Sequence, residues 1–366
     1  MRDILEDSIQ RLLADHVTPD LLRESEQGTL PQALWRLIEN NGFTLALVRE
    51  SAGGSGLAWA DAYPLVVAAG QHALPLPLPE TLLAAWLLDQ TDIKVPDGPI
   101  TVADTTGTAG VRATRSHGGW LLDGLLPFVP WGRSAGHAVL EVRIEGVLHL
   151  ALVTLAGLPR RDDLNLARES RDSIELHASP AVAVAPLPQT LGHAPIRLYG
   201  AMLRCAQMAG AMERLVRQSI QYAGERAQFG KPIGKFQAIQ QQLAVLGCES
   251  AATAAGAAFA FAQAGSETAS LAIAAAKVRA SEAAGKAASI AHATHGAIGF
   301  SYEHTLHFLT RRLWSWRSEF GHHGWWSRRI GAAVCASDQP FWHGVTSGCI
   351  DVLGPTPSTP TPTEMT

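Results

Sequence analysis

The sequence predicts a three-part chain: a helical first segment, a small β domain, and a long helical bundle. Three observations carry this. Apolar residues recur three and four apart at both ends, short strand-like runs replace that period in the middle, and alanine dominates the last third.

The first segment, residues 1–95, places Ile4, Ile9, Leu12 and Leu13, then Leu34, Leu37 and Ile38, at helical spacing with acidic residues between them. Gly53, Gly54 and Gly56 break the pattern. Pro75, Pro77 and Pro79 interrupt it again before a helix resumes over 81–90. In the second part, 96–190, strands are expected at 100–103, 120–122, 138–143, 147–155 and 174–177. Glu145-Gly146 reads as a hairpin turn, and Pro180, Pro186 and Pro188 close the section. In the third part, 191–350, Phe236, Ile239, Leu243 and Leu246 form the stripe of a core-facing helix. Of the 50 residues from 251 to 300, 22 are alanine, which favours helices that pack closely. The Pro/Thr-rich stretch 351–366 predicts a disordered tail.

Bulk properties narrow the function. The 366 residues are 47% hydrophobic and 17% charged, enough for a sizeable core. The net charge of −4, without any basic run, argues against nucleic acid as a partner. Cys205, Cys248, Cys335 and Cys349 are scattered without a CxxC pair, which disfavours a zinc ribbon or disulfide scaffold and fits a reducing cytoplasm. The first residues lack the pattern of a signal peptide, and no unbroken apolar stretch reaches a membrane span of roughly 18 residues. A cytoplasmic protein without a membrane partner is therefore expected.

The most informative segment runs from Tyr222 through Arg226, Gln228, Phe229, Gly230, Phe236 and Gln237 to Gln240. Gly230 and Gly234 flank a proline turn between two helices, so Arg226 and Gln237 share one corner. An arginine there can pair with a pyrophosphate or cap a helix C-terminus. The string resembles the signature of the acyl-CoA dehydrogenase family. His295, Gly296, Gly299 and Phe300, followed by Arg311 and Arg312, are similar to the family's glycine-rich helix break, where the adenosine half of FAD lies across a subunit interface. Weaker matches at 45–61 and 122–132 extend the resemblance from about residue 30 to 335.

This resemblance implies an acyl-CoA dehydrogenase-like fold: helical N-terminal domain, central β-barrel and C-terminal four-helix bundle. It implies FAD as cofactor, held by Arg226, Gln228, Phe229, Phe236, Gln237, His295, Gly296 and Gly299, and a homo- or hetero-oligomer. The implied reaction is α,β-dehydrogenation of an acyl-CoA substrate, with an electron-transferring flavoprotein as acceptor. A glutamate removes the α-proton while hydride leaves the β-carbon for the flavin.

The family takes that glutamate from one of two places. Counting from Arg311 puts Phe320 at the first, and counting back from Gly210 puts Gly200 at the second, so neither holds an acid. Glu319 is the nearest substitute, either as base or as a solvated glutamate paired with Arg317 or Arg311. Phe320 with Gly321 resembles a bacterial steroid-degrading branch in which two unlike subunits share the work and one carries the base. A base-less subunit that completes a partner's FAD site and a flavin-dependent monooxygenase are the rival readings. Three flavin contacts also depart from the family: Ala293 for glutamine, Pro130 for threonine, and 103–107 in place of its acidic, glycine-rich loop. No metal is expected, since His292, His295, Glu303, His304 and His307 overlap the flavin motif. Trp314, Trp316, Trp325 and Trp326 read as core or interface, and His322 and His323 as pocket lining or surface.

Overall fold

The structure is a computed structural model that describes residues 2–106, 110–338, 340–348 and 350–354. Gly107 and the tail from 355 onward lie outside the described residues. The N-terminal part contains helices α1 (Arg2–His16), α2 (Pro19–Ser25), α3 (Gln32–Asn40), α4 (Trp59–Gln71) and α5 (Leu78–Gln90). The Thr18 hydroxyl accepts from Leu21 N at 3.2 Å and Pro19 follows it, which fixes the start of α2. Helix α5 starts three residues before the expected 81, because Pro79 is tolerated in a first helical turn.

The middle part contains β1 (Ile100–Ala103), β2 (Arg112–Ser116), β3 (Gly119–Pro130), β4 (His137–Ile144), β5 (Val147–Thr154), β6 (Arg160–Arg161) and β7 (Arg171–Pro186). The sheet order is β1-β4-β5-β7-β3-β2, with β6 on β7. Strand β7 joins both halves, pairing with β3 through its first part and with β5 through its last. The sheet curls until β1 meets β3, where the Thr101 hydroxyl donates to Pro130 O at 2.5 Å. Inside lie Leu122, Leu126, Leu140, Val153, Ile174 and other apolar side chains. Glu145 and Gly146 turn the β4–β5 hairpin with positive φ at both residues, as a two-residue turn of this hand requires. Pro186 ends β7 and so closes the section as expected, whereas Pro180 lies within the strand. β2 and β6 escaped the sequence reading because their polar residues are mostly exposed.

The C-terminal part holds α6 (Pro195–Glu225), a short hairpin of β8 (Ala227–Gln228) and β9 (Lys231–Pro232), α7 (Gln237–Gln263), α8 (Ala269–His295), α9 (Leu306–Trp316), α10 (His323–Ala336) and α11 (Phe341–Ser347). Helices α6 to α9 form the bundle, and α10 packs on α8. By length and composition α7 is apolar enough to cross a membrane, and here it packs along α6 and α8. The segment expected to open the tail at 351 is docked instead. Val352 is buried, its N–H donates to Ser270 Oγ at 3.2 Å, and Arg329 Nε donates to its carbonyl at 2.9 Å.

The bundle meets the N-terminal part where α4 crosses α6. A Cβ on Gly70 would sit 2.0 Å from Gln207 O, and one on Gly210 would sit 2.1 Å from Val67 O. The two backbones are in reciprocal contact, so only glycine fits at either position. Gly70→Ala and Gly210→Ala are each expected to destabilise the chain by about 1–3 kcal/mol, the usual cost of overpacking. Denaturant unfolding monitored by circular dichroism checks this, and an unchanged midpoint in both variants would contradict the close crossing.

Candidate active site

A cavity of about 720 Å3 opens between the β domain and the bundle. Phe128, Leu164 and Leu166 line it from the β side, and Trp314 and Phe320 from the bundle side. Along α6, residues 197, 200, 204 and 207 share one helical face by their three- and four-residue spacing. Arg197 lines the cavity, donating from Nε to Asp104 Oδ2 at 2.7 Å and from Nη2 to Thr106 O at 2.8 Å. Its guanidinium lies 4.9 Å from the Trp325 ring centroid, tying 104–106 to α10.

Glu319 lies in the turn after α9, with its side chain 16% exposed at the cavity wall. Its carboxylate accepts from Arg171 Nε at 2.8 Å and Nη2 at 3.0 Å, from Arg204 Nε at 2.8 Å, and from Asn165 Nδ2 at 3.0 Å. Arg317 and Arg311, the partners considered from sequence, are engaged elsewhere: Arg311 pairs with Glu26, and Arg317 lies against Trp314. The chain continues outward from Glu319. Arg204 binds Glu80 of α5 at 2.6 Å, Arg171 binds Glu169 at 2.9 Å, and Arg312 lies 3.0 Å from Glu169. Burial alone would raise the Glu319 pKa, but the two arginines and their hydrogen bonds outweigh it and hold the group at about 2. A carboxylate that binds protons so weakly is poorly suited to remove one from carbon near neutral pH.

The two positions at which the family places its base touch each other. Phe320 packs its ring on α6 so closely that a Cβ on Gly200 would lie 2.5 Å from Phe320 Cδ1. Phe320 has φ +52° and Gly321 φ +94°, while Trp326 Nε1 donates to Phe320 O at 3.0 Å. A Cβ on Gly321 would lie 2.7 Å from that same nitrogen. This turn fixes the ring, and the ring admits only glycine at 200. Position 200 therefore cannot carry an acid while Phe320 stays in place.

At the far end of α6, Arg226 follows the last helical turn and is exposed. Phe229 and Gly230, both with positive φ, turn the β8–β9 hairpin and leave the Phe229 ring 91% exposed, edge-on to Phe236 at 6.1 Å. Phe236 precedes α7 without any side-chain cap, so the N–H groups of Gln237 and Ala238, at the start of that 27-residue helix, remain free to bind an anion. Gln228 is exposed on the same hairpin. The glycine-rich break joins this corner through Tyr222, whose ring stacks on His295 at 4.5 Å. His295 Nδ1 bonds Ala291 O at 2.7 Å, burial lowers its pKa, and its Nε2 has no protein partner. Gly296 caps α8 with φ +66°, and Gly299 is buried against His295 and Leu306. The sequence-derived cofactor residues thus gather in one place, with Glu319 in another. From Arg197 to Arg226 the separation along α6 is about 43 Å at the helical rise per residue.

These residues fit the phosphate and adenosine half of FAD: a free arginine, an uncapped helix N-terminus and two aromatic rings. The cavity wall fits the flavin ring less well, since Pro127 and Pro130 line it and neither has an N–H to offer. No group of three or more metal-ligating side chains occurs among the described residues. Trp316 and Trp326 are core, whereas Trp314 lies at the cavity. Sequence reasoning missed Arg171 and Arg204. Arg204 did leave a signal, as the lone charge in the apolar run 198–212 of α6.

The Glu319 pKa lies below its ordinary 4.5, so its stabilisation is complete above that value and is lost as pH falls towards about 2. Glu319→Gln leaves two buried arginines short of a counter-charge and is expected to cost about 3–5 kcal/mol at pH 7. The gap from the unsubstituted chain should narrow between pH 4.5 and 2 in urea unfolding. A gap that stays constant with pH would show that the carboxylate charge is not what holds the turn.

The chain is similar in sequence and fold to known acyl-CoA dehydrogenases. The acyl-CoA dehydrogenase C-terminal domain is matched over residues 198–323. Acyl-CoA dehydrogenase IpdE2 of Mycobacterium tuberculosis is 28% identical over 316 residues, covering 85% of this chain and 90% of that protein. The ChsE4-ChsE5 complex from the same organism aligns with a TM-score of 0.84 at 22% identity, over 92% of this chain and 98% of the matched one. A variant of the steroid ACAD Tcur3481-Tcur3483 aligns at 0.80 with 25% identity, over 90% and 96%. The chain is thus similar to acyl-CoA dehydrogenases in fold and across most of its length, and residues 198–323 match that family's C-terminal domain.

Proposed function

We infer that this chain is the base-less subunit of an acyl-CoA dehydrogenase assembly. The observation that carries the reading is the Phe320 ring seated on Gly200, which removes both sites for an α-proton base at once. Glu319 lines the same cavity, but Arg171 and Arg204 commit its charge to structure. The corner at Arg226 supports the second half of the reading. It lies too far along α6 for one dinucleotide to reach this chain's own cavity, so the phosphates it binds belong to FAD whose ring sits in another chain.

In such an assembly this chain orients the cofactor. Arg226 and the α7 N-terminus hold the phosphates, and Phe229 and Phe236 flank the adenosine. FAD, when bound, would supply the hydride acceptor for the acyl β-carbon. The α-proton goes to a glutamate on the second, unlike chain, and an electron-transferring flavoprotein takes the electrons onward. The solved ChsE4-ChsE5 complex, which shares the fold, offers a precedent for pairing two chains.

Two measurements test this. The chain is purified alone and together with a glutamate-bearing chain of the same fold, and the visible spectrum is recorded before and after adding acyl-CoA thioesters. Bleaching should occur only in the pair; bleaching by this chain alone would refute the reading. In the pair, Arg226→Ala should weaken FAD retention by about tenfold or more, as expected for losing a charge-assisted phosphate contact.

A further inference from the structure

Helix α10 holds the core by little of its own surface. Of its 14 residues Trp326 alone is buried, and the helix packs on α8. A second hold comes from residues 350–354, which run back across the start of α8 as a strap. The Ser270 hydroxyl donates to Ile350 O at 3.0 Å and accepts from Val352 N at 3.2 Å. Ile350 and Val352 are buried. From α10, Arg329 donates through Nε to Val352 O at 2.9 Å and through Nη2 to Gly354 O at 2.7 Å. Backbone carbonyls taken out of water need such donors, so strap and helix are fastened in one geometry.

The same helix reaches the cavity through Trp325. Its ring centroid lies 5.9 Å from the Arg329 guanidinium and 4.9 Å from that of Arg197. Trp326 meets the ring edge-on at 4.7 Å, and a Cβ on Gly321 would lie 3.1 Å from Trp325 Cε3, so the indole has no room to shift alone. Arg197 in turn grips Asp104 and Thr106, both on the cavity wall. The Thr106 N–H donates to Asp104 Oδ1 at 2.9 Å, which makes 104–106 one compact turn. The Arg197–Asp104 pair is only 15% and 14% exposed. With Trp325 withdrawn, water reaches that pair and weakens it.

We propose that the strap 350–354 is a latch on the cavity. Docked on Ser270 and Arg329, it fixes α10 and, through Trp325 and Arg197, keeps 104–106 closed against α6. Released, it frees α10, the Arg197 grip loosens, and the cavity widens between the β domain and the bundle. An event at the C-terminal end of the described chain is thereby felt at the cavity wall. The latch works the same way whether or not the chain carries its own base.

Amide hydrogen–deuterium exchange on the full chain tests this. Val352→Asp puts a carboxylate where Val352 is buried and drives the strap off its seat, which faster exchange at 350–354 verifies. Exchange at 104–106 should then rise about tenfold or more, as local opening does, while the β4–β5 hairpin stays unchanged. Trp325→Leu should speed 104–106 to a similar extent with the strap still protected. The double variant should exchange there no faster than either single one, because both substitutions cut one relay. If Val352→Asp fails to fold by circular dichroism, Ser270→Ala replaces it, removing both hydroxyl contacts to the strap. Unchanged exchange at 104–106 with the strap released would overturn the latch. So would effects of the two substitutions that multiply, which would make strap and cavity wall independent.

Discussion

One chain of alternating charges ties the three parts of this protein together: Glu80, Arg204, Glu319, Arg171, Glu169 and Arg312. Glu80 comes from α5, Arg204 from α6, Arg171 from β7, and Arg312 from α9. Three carboxylates face three guanidinium groups, so the chain is neutral as a whole although nearly all of it is buried. Buried ion pairs seldom add net stability over an apolar core, because desolvation consumes most of the attraction. What they do impose is geometry. A shift of any one part would leave a charge unpaired, and that penalty holds the β domain at a fixed height on the bundle. The cavity between them inherits its shape from this arrangement. Lys277 extends the same logic within the bundle, donating from Nζ to Trp316 O at 3.1 Å and Arg317 O at 3.0 Å where α9 ends.

That network explains what happened to Glu319. One residue away from the expected base position, a carboxylate on a turn can in principle face the cavity, and its side chain does line the wall. Yet the group is already the shared acceptor of two arginines and an asparagine. An acid tuned for proton abstraction needs a pKa near the working pH, reached by burial without strong cationic partners. Here burial and charge act in opposite directions and charge prevails. The neighbouring Glu141 shows the other balance. Burial raises its pKa to about 8 against the hydrogen bond from Ile196 N, and it lies beneath the start of α6 rather than on the cavity wall.

Much of the architecture was legible in the sequence, for physical reasons that differ by element. The helical ends showed because amphipathic helices must repeat their apolar residues at 3.6, and β4 and β5 showed because their apolar runs flank a Glu-Gly turn. Strand β2 did not, since an edge strand exposed on both faces carries no apolar pattern. The turn from Arg226 to Gln237 was legible because its residues are close in sequence and the turn chemistry of Phe229-Gly230 is local. The arginines around Glu319 were not. Arg171 and Arg204 lie 148 and 115 residues away from it, and nothing local announces that pairing. The Phe320–Gly200 contact was half legible: sequence showed two missing acids, but only packing shows that the ring at 320 also bars an acid at 200.

This contact bears on how the chain relates to a catalytic one. Had one position merely lost its glutamate, a single substitution could restore a base at either place. With the Phe320 ring on Gly200, an acid at 200 would collide with the ring, and an acid at 320 would lie where Arg204 now faces the ring at 5.4 Å. Such an acid would be drawn into the same ionic chain that already lowers the Glu319 pKa. The surroundings of both positions are thus set against a proton acceptor, by shape at one and by charge at the other. The corner at Arg226, about 43 Å away along α6, presents an exposed arginine and an uncapped helix N-terminus. A cavity closed to the proton chemistry, together with an anion-attracting corner that faces outward, is the division expected under the proposed function, in which the chain works on its partner's flavin.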